Sequence, residues 1–213
     1  MLVALGIALS VCAIAIVGEW MVVSNIAFRS NEESTLGRLD VRIVAIALLV
    51  VGLLASTRSA YLPDPFLLGV LVATITVCTV TDMRLWQIYN ALVAILLVAA
   101  IGDAVYFGHV FDAICGLVVG ALILAGPLWT RIIDAADAKA ALAIAAVLGG
   151  FYIAVVVIVG IGALTLLHAY RQRRSPVPLT TRMPWAPFLA AGTVAALALA
   201  VTPLAPLLAA SRP

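Results

Sequence analysis

Hydrophobic residues in this chain come in long unbroken runs, and the polar residues collect in the short gaps between them. The first run extends from about Leu2 to Phe28 and gives way to the 14-residue polar stretch RSNEESTLGRLDVR, Arg29 to Arg42. The pattern then predicts a second helix over about Ile43 to Ala55, a turn at SAYLPDP, and a third helix over Phe66 to Thr81. A fourth follows over Ala91 to Phe107, the link GHVFD turns the chain, and a fifth covers Ala113 to Trp129. The longer runs match the roughly 20 apolar residues that cross a hydrocarbon core.

The run from Ala138 to Tyr170 is too long for one pass. About 33 residues at 1.5 Å each make a helix near 50 Å, against a core of about 30 Å. Gly149 and Gly150 are the strongest helix punctuation inside it and predict a break there. With the break the chain has about eight membrane segments; without it, seven. The break also returns Arg171 to Arg182 to the side of the other basic loops, so that of the 12 Lys and Arg residues only Arg58 and Arg212 lie opposite. Unbroken, the basic residues divide almost evenly, against the positive-inside bias. A last helix is expected from about Phe188 to Leu208, with both termini away from the basic side.

Composition agrees with an all-α, polytopic transmembrane helix bundle. The 213 residues are 65% hydrophobic and 10% charged, with mean hydropathy +1.23, outside the range of water-soluble domains. The first run lacks a basic leading segment and a small-residue cleavage site, so it reads as a retained helix. A net charge of +2 gives no reason to expect nucleic acid as a partner; the arginines matter through their placement. Cys12, Cys78 and Cys115 stand alone in separate apolar runs, and His109 and His168 are far apart, so no metal site, disulfide framework or cofactor is expected.

Two junctions carry acids at the ends of apolar runs. One is TDMRLWQIYN, Thr81 to Asn90, where Asp82 is followed at once by Arg84, Trp86 and Tyr89. The other holds Asp134, Asp137 and Lys139. Ionisable groups at membrane depth are costly and mark function. If Asp82 and Asp137 face each other they can share one proton, one serving as base for a water while the other polarises a carbonyl. The plainer alternative makes Asp82 an interfacial terminator and Asp137 a first-turn residue favoured by the helix dipole. Asp134, three residues before Asp137, reads as a cap, as a third acid, or as a retuning of the pair. Glu19 and Asn25 interrupt the first apolar run, and Glu19 is expected to face the bundle with a structural hydrogen bond. Trp86, Trp129 and Trp185 read as an interfacial aromatic belt.

These residues carry a resemblance to the prepilin peptidases. Asp82, Arg84, Ile88 and Asn90 are similar to that family's first signature, an Asp followed by a basic residue and then Ile-Pro-Asn, with Tyr89 in place of the proline. Asp134 to Lys139 resembles its second, Gly-x-Gly-Asp-x-Lys, with Asp134 and Ala136 where the glycines stand. Met183 to Gly192, MPWAPFLAAG, resembles its Pro-Phe-Gly-Pro-Phe-Leu-Ala-x-Gly, and order and spacing agree from about Phe66 onward.

The resemblance implies an N-terminal helix pair with a short cytoplasmic loop, residues 1–65, ahead of a peptidase-like core, residues 66–213. It implies an aspartyl peptidase of the inner membrane that removes the basic leader from type IV prepilin or pseudopilin precursors, with no cofactor. Asp82 and Asp137 would be catalytic, and Arg84, Asn90, Asp134 and Lys139 supporting. Bifunctional members carry a cysteine-bearing insertion in the first cytoplasmic loop, linked to N-methylation; here that loop is short and has no cysteine. The alternatives are an inactive scaffold of a pilus or secretion assembly that has lost the glycines, and a proton-coupled transporter. The transporter would need a polar path that helices four and five do not offer.

Overall fold

In the computed structural model, the described residues are 1–32, 36, 40–57, 59–129, 133–174 and 184–202. They form eight α-helices: α1 (Leu2–Arg29), α2 (Val41–Ala55), α3 (Pro65–Leu85), α4 (Asn90–Phe107), α5 (Val110–Trp129), α6 (Ala135–Leu148), α7 (Gly150–Arg174) and α8 (Ala186–Ala200). No strand occurs among the described residues. Four helices, α1, α3, α4 and α5, are long and apolar enough to cross a membrane.

The expected break is present. Gly149 ends α6 at φ 79°, a backbone conformation that side chains other than glycine's rarely adopt, and α7 starts at the next residue. The last helix begins at Ala186 rather than near Phe188, because Pro187 fits the first turn, where its missing N–H has no helical partner to lose. The helix ends at Ala200, short of the expected Leu208; Leu208, like Arg58, Arg131, Arg182 and Arg212, lies outside the described residues.

α3 is the axle of the bundle. Its apolar window is 83% buried, whereas those of α1, α4 and α5 are 22 to 28% buried and present most of their surface outward. α1 lays the stripe Ala8, Cys12, Ile16, Glu19, Val23 and Ala27 inward, mostly against α3. α2, α4 and α8 also pack on α3, while α5, α6 and α7 pack on one another. The hydroxyls buried along α3 are satisfied locally where they can be: Thr76 donates to the Val72 carbonyl at 2.7 Å and Thr81 to that of Cys78 at 3.1 Å. Gly116 and Gly192 let backbones touch, since a Cβ at either would run into the main chain of Ala145 on α6 or of Val156 on α7. Gly192 is the last residue of the third matched motif, so that position has a packing reason of its own.

Asp64 starts α3 by accepting the Phe66 N–H at 2.7 Å, with Pro65 in the first turn. The helix runs four residues beyond the expected end at Thr81, to Leu85. Trp86 then turns the chain at φ 57°, its N–H bonded to the Asp82 carbonyl at 3.0 Å. Asp82 therefore stands inside the last turn of α3, not after it. Asp137 likewise lies inside the first turn of α6 rather than ahead of it.

Candidate active site

The chain reversal at Trp86 and the start of α6 bring the two acidic junctions to the same end of the bundle. Asp82, Asp134 and Asp137 lie close enough for their charges to act on one another. Asp82 is 5% exposed, Asp137 is partly buried and Asp134 is exposed. An apolar cavity among the same helices has walls that include Cys78, Ala140, Ala143, Ala186 and Leu189. Cys78 and Ala140, in its wall, lie one turn deeper than Asp82 and Asp137 respectively.

Each member of the pair is held by a backbone N–H from a helix start. Asp134 and Asp137 form a capping box in which the Asp134 N–H donates to Asp137 Oδ2 at 3.1 Å. Asp134 is thus the N-cap of α6, as one of its sequence readings has it. Asp82 is held from a part of the chain 104 residues away: the Ala186 N–H donates to its Oδ2 at 2.7 Å, and the Trp185 N–H adds to the same cradle. The start of α8 presents unsatisfied N–H groups and the positive end of its dipole to an acid on α3. Nothing in the sequence marks those N–H groups as a holder for Asp82. The available signal is positional, a Pro-rich helix start at MPWAP among the matched motifs.

The cations nearby are engaged elsewhere. Lys139 Nζ donates to Asn90 Oδ1 at 3.3 Å, which ties the second junction to the first through two of the expected supporting residues. Arg84 turns away from the acids and donates to the Leu36 carbonyl. It anchors the first loop instead of lining the pair. Leu36 is 2% exposed and belongs to the hydrophobic core, so this residue of the first loop is held by burial as well as by its hydrogen bond.

Tyr89, in the place of the signature's proline, adds a second tie. Its hydroxyl donates to Glu32 Oε2 at 3.1 Å, and Gln87 Nε2 donates to Glu32 Oε1 at 3.4 Å. Burial, then the bond to Glu32 and its charge, push the Tyr89 phenol up to about 12, so it stays a donor at neutral pH. A proline could not make this contact. Its clamp on the first loop is a feature that sequence reasoning passed over.

Glu19 faces the interior, 3% exposed, and its Oε1 accepts the Thr74 hydroxyl at 2.7 Å. Thr74 lies about 12 Å below Asp82 along α3, at eight residues and 1.5 Å each. The described residues contain no group of three His, Cys, Asp or Glu placed to hold a metal ion. No family model, curated protein or solved structure matches this chain.

Proposed function

We propose that the chain is an intramembrane aspartyl peptidase of the prepilin peptidase type, cutting the basic leader from type IV prepilin or pseudopilin precursors at the cytoplasmic face of the inner membrane. The observation that carries the reading is the pairing of Asp82 with Asp137. Two acids about 55 residues apart meet at one end of the bundle, near an apolar cavity, with no lysine or arginine partner among the described residues. Structural carboxylates at such a depth are normally neutralised. These two are held by backbone N–H groups, close enough for their charges to act on one another.

Such a pair suits peptide hydrolysis. With one proton between them, the charged member takes a proton from a water as its oxygen attacks the scissile carbonyl, and the protonated member gives its proton to the carbonyl oxygen. The tetrahedral adduct then collapses: the C–N bond breaks, the amine leaves with a proton, and the new carboxyl group remains on the leader. A precursor that keeps its basic leader on the cytoplasmic side and its apolar helix in the bilayer would bring one peptide bond to the level of the acids. No methyl transfer is expected from a first loop this short.

The replaced glycines, Asp134 and Ala136, favour a second reading, an inactive scaffold that retains the fold. Coexpression with a candidate prepilin separates the two: leader loss on a gel, abolished in Asp82→Asn, supports the peptidase, and intact precursor with every candidate supports the scaffold. Sidedness is tested separately by cysteines at Asn31 and Ser59 in a Cys-free background. An impermeant reagent should label them from opposite faces.

A further inference from the structure

We propose that Asp134 sets the division of labour within the acid pair, placing the shared proton on Asp137 and the charge on Asp82, so that Asp82 is the general base and Asp137 the proton donor. This rests on the peptidase reading. The surroundings of the two acids differ in a way that sequence alone does not show. Asp82 receives the Ala186 N–H at 2.7 Å together with that of Trp185, both from the start of α8. Hydrogen bonds of this kind stabilise the charged form of a carboxyl group. Asp137 receives one N–H, from Asp134 at 3.1 Å, and faces the charges of both Asp82 and Asp134.

Among the described residues, the other charged groups at this end are bonded to partners other than Asp137. On α6 itself, Lys139 is bonded to Asn90; on α3, Arg84 is bonded to the Leu36 carbonyl; α8 contributes backbone N–H groups to Asp82. Among the described residues none of these side chains forms an ion pair with Asp137. Protonating either acid relieves its repulsion with the other and with Asp134. The difference lies in the bonds: the shared proton is better placed on Asp137, which shares the capping box with Asp134 and accepts one N–H at 3.1 Å, than on Asp82, where it weakens the bonds from the start of α8. Asp134 acts through its neighbour and is a positioning residue. Its two contributions are separable, because the cap needs a side-chain oxygen and the tuning needs a charge.

The sign of the effect follows. The productive form carries one proton, so activity falls at low pH as Asp82 is protonated and at high pH as Asp137 loses its proton. Asp134 is bonded directly to Asp137 in the capping box, whereas it acts on Asp82 through its charge. Neutralising Asp134 should therefore lower the alkaline limb more than the acid limb and narrow the profile. The experiment compares pH–rate profiles of purified wild type, Asp134→Asn, Asp134→Ser and Asp134→Ala on one prepilin substrate. Asn and Ser keep the cap while removing the charge. All three variants should move the alkaline limb down by roughly half to one pH unit, the size of a nearby charge seen through a high effective dielectric. Only Asp134→Ala should also lose thermal stability. An alkaline limb that stays put or rises in Asn and Ser overturns the assignment.

A second measurement does not depend on cleavage. Dicyclohexylcarbodiimide reacts with protonated carboxyl groups at membrane depth, and fragment-resolved mass spectrometry reads its attachment to Asp137 against pH. The midpoint should fall by the same amount in Asp134→Asn, even if no precursor is ever cut; an unchanged midpoint overturns the tuning whatever the activity. A shifted midpoint without any cleavage would leave the tuning standing and remove the peptidase.

Discussion

At the start of α3, Asp64 caps the helix, and Asp103 at the end of the neighbouring α4 pairs with His109, Nε2 to Oδ2, at 3.0 Å. About 27 Å along the same helix, at 1.5 Å per residue, Asp82 has no ion-pair partner among the described residues and lies close enough to Asp137 for their charges to act on one another. Both ends concentrate acids where the bundle meets a polar phase. At the first, Asp64 starts α3, and Asp103 meets both the Asp64 carboxyl group and the His109 ring that closes the α4–α5 turn. At the second, the structural tasks fall to Asp134 and to backbone N–H groups, and two carboxylates have no counter-ion among the described residues. The contrast shows that an acid at a helix end carries little information by itself. What separates the two ends is the partner each acid has been given.

The largest expected effect tests that contrast directly. Asp82→Asn and Asp137→Asn should each lower precursor cleavage by at least about a thousandfold, with membrane abundance unchanged, since each keeps shape and hydrogen bonding but ends proton sharing. The double variant should be no worse than either single. Asp103→Asn at the other end should cleave like wild type. Equal inactivation by Asp103→Asn, read on the same gel, would erase the distinction between the ends.

Next in size is the buried polar contact between them. Thr74→Val removes the only described donor to the Glu19 carboxyl group and should cost about 1 to 2 kcal/mol in thermal unfolding in detergent. Glu19→Gln keeps an acceptor for Thr74 and should cost less. If both variants unfold at the wild-type temperature, the pair is not a structural tie.

Much of this architecture could be read from the sequence because membrane helices follow from local composition. The runs, the break at Gly149 and the final helix start appear within a few residues of their expected places, and the expectation that Glu19 faces the bundle holds. Helix ends were less legible. Continuing α3 through Asp82 depends on Trp86 taking a left-handed backbone conformation, for which a tryptophan gives no warning. The candidate acids could be read as residues, but not their holders: Ala186 and Trp185 act through main-chain N–H groups, which carry no sequence signature. Arg84 shows the same limit: its place in the motif suggests support for the acids, but its partner, the buried Leu36 carbonyl, could not be read from the sequence.

The smallest effect concerns that loop and the one substitution that distinguishes the first junction from the motif it resembles. Tyr89 holds Glu32, and burial together with that contact raises its phenol from the ordinary 10.0 to about 12. A group whose folded value is raised binds its proton more tightly when folded. Its contribution to stability is therefore complete below about pH 10 and is lost as pH rises from there toward 12. Wild type and Tyr89→Phe should differ by about 0.5 to 1 kcal/mol at pH 8, the net worth of an ordinary hydrogen bond. The two unfolding curves should then converge as the pH is raised through 10 and beyond, because phenylalanine has no proton to lose. Since other tyrosines and lysines titrate in the same window, the quantity to follow is the difference between the two proteins, measured side by side. A difference that stays constant from pH 8 to 11.5 would mean that Tyr89 contributes by packing alone and that its hydroxyl does not clamp the loop to the site.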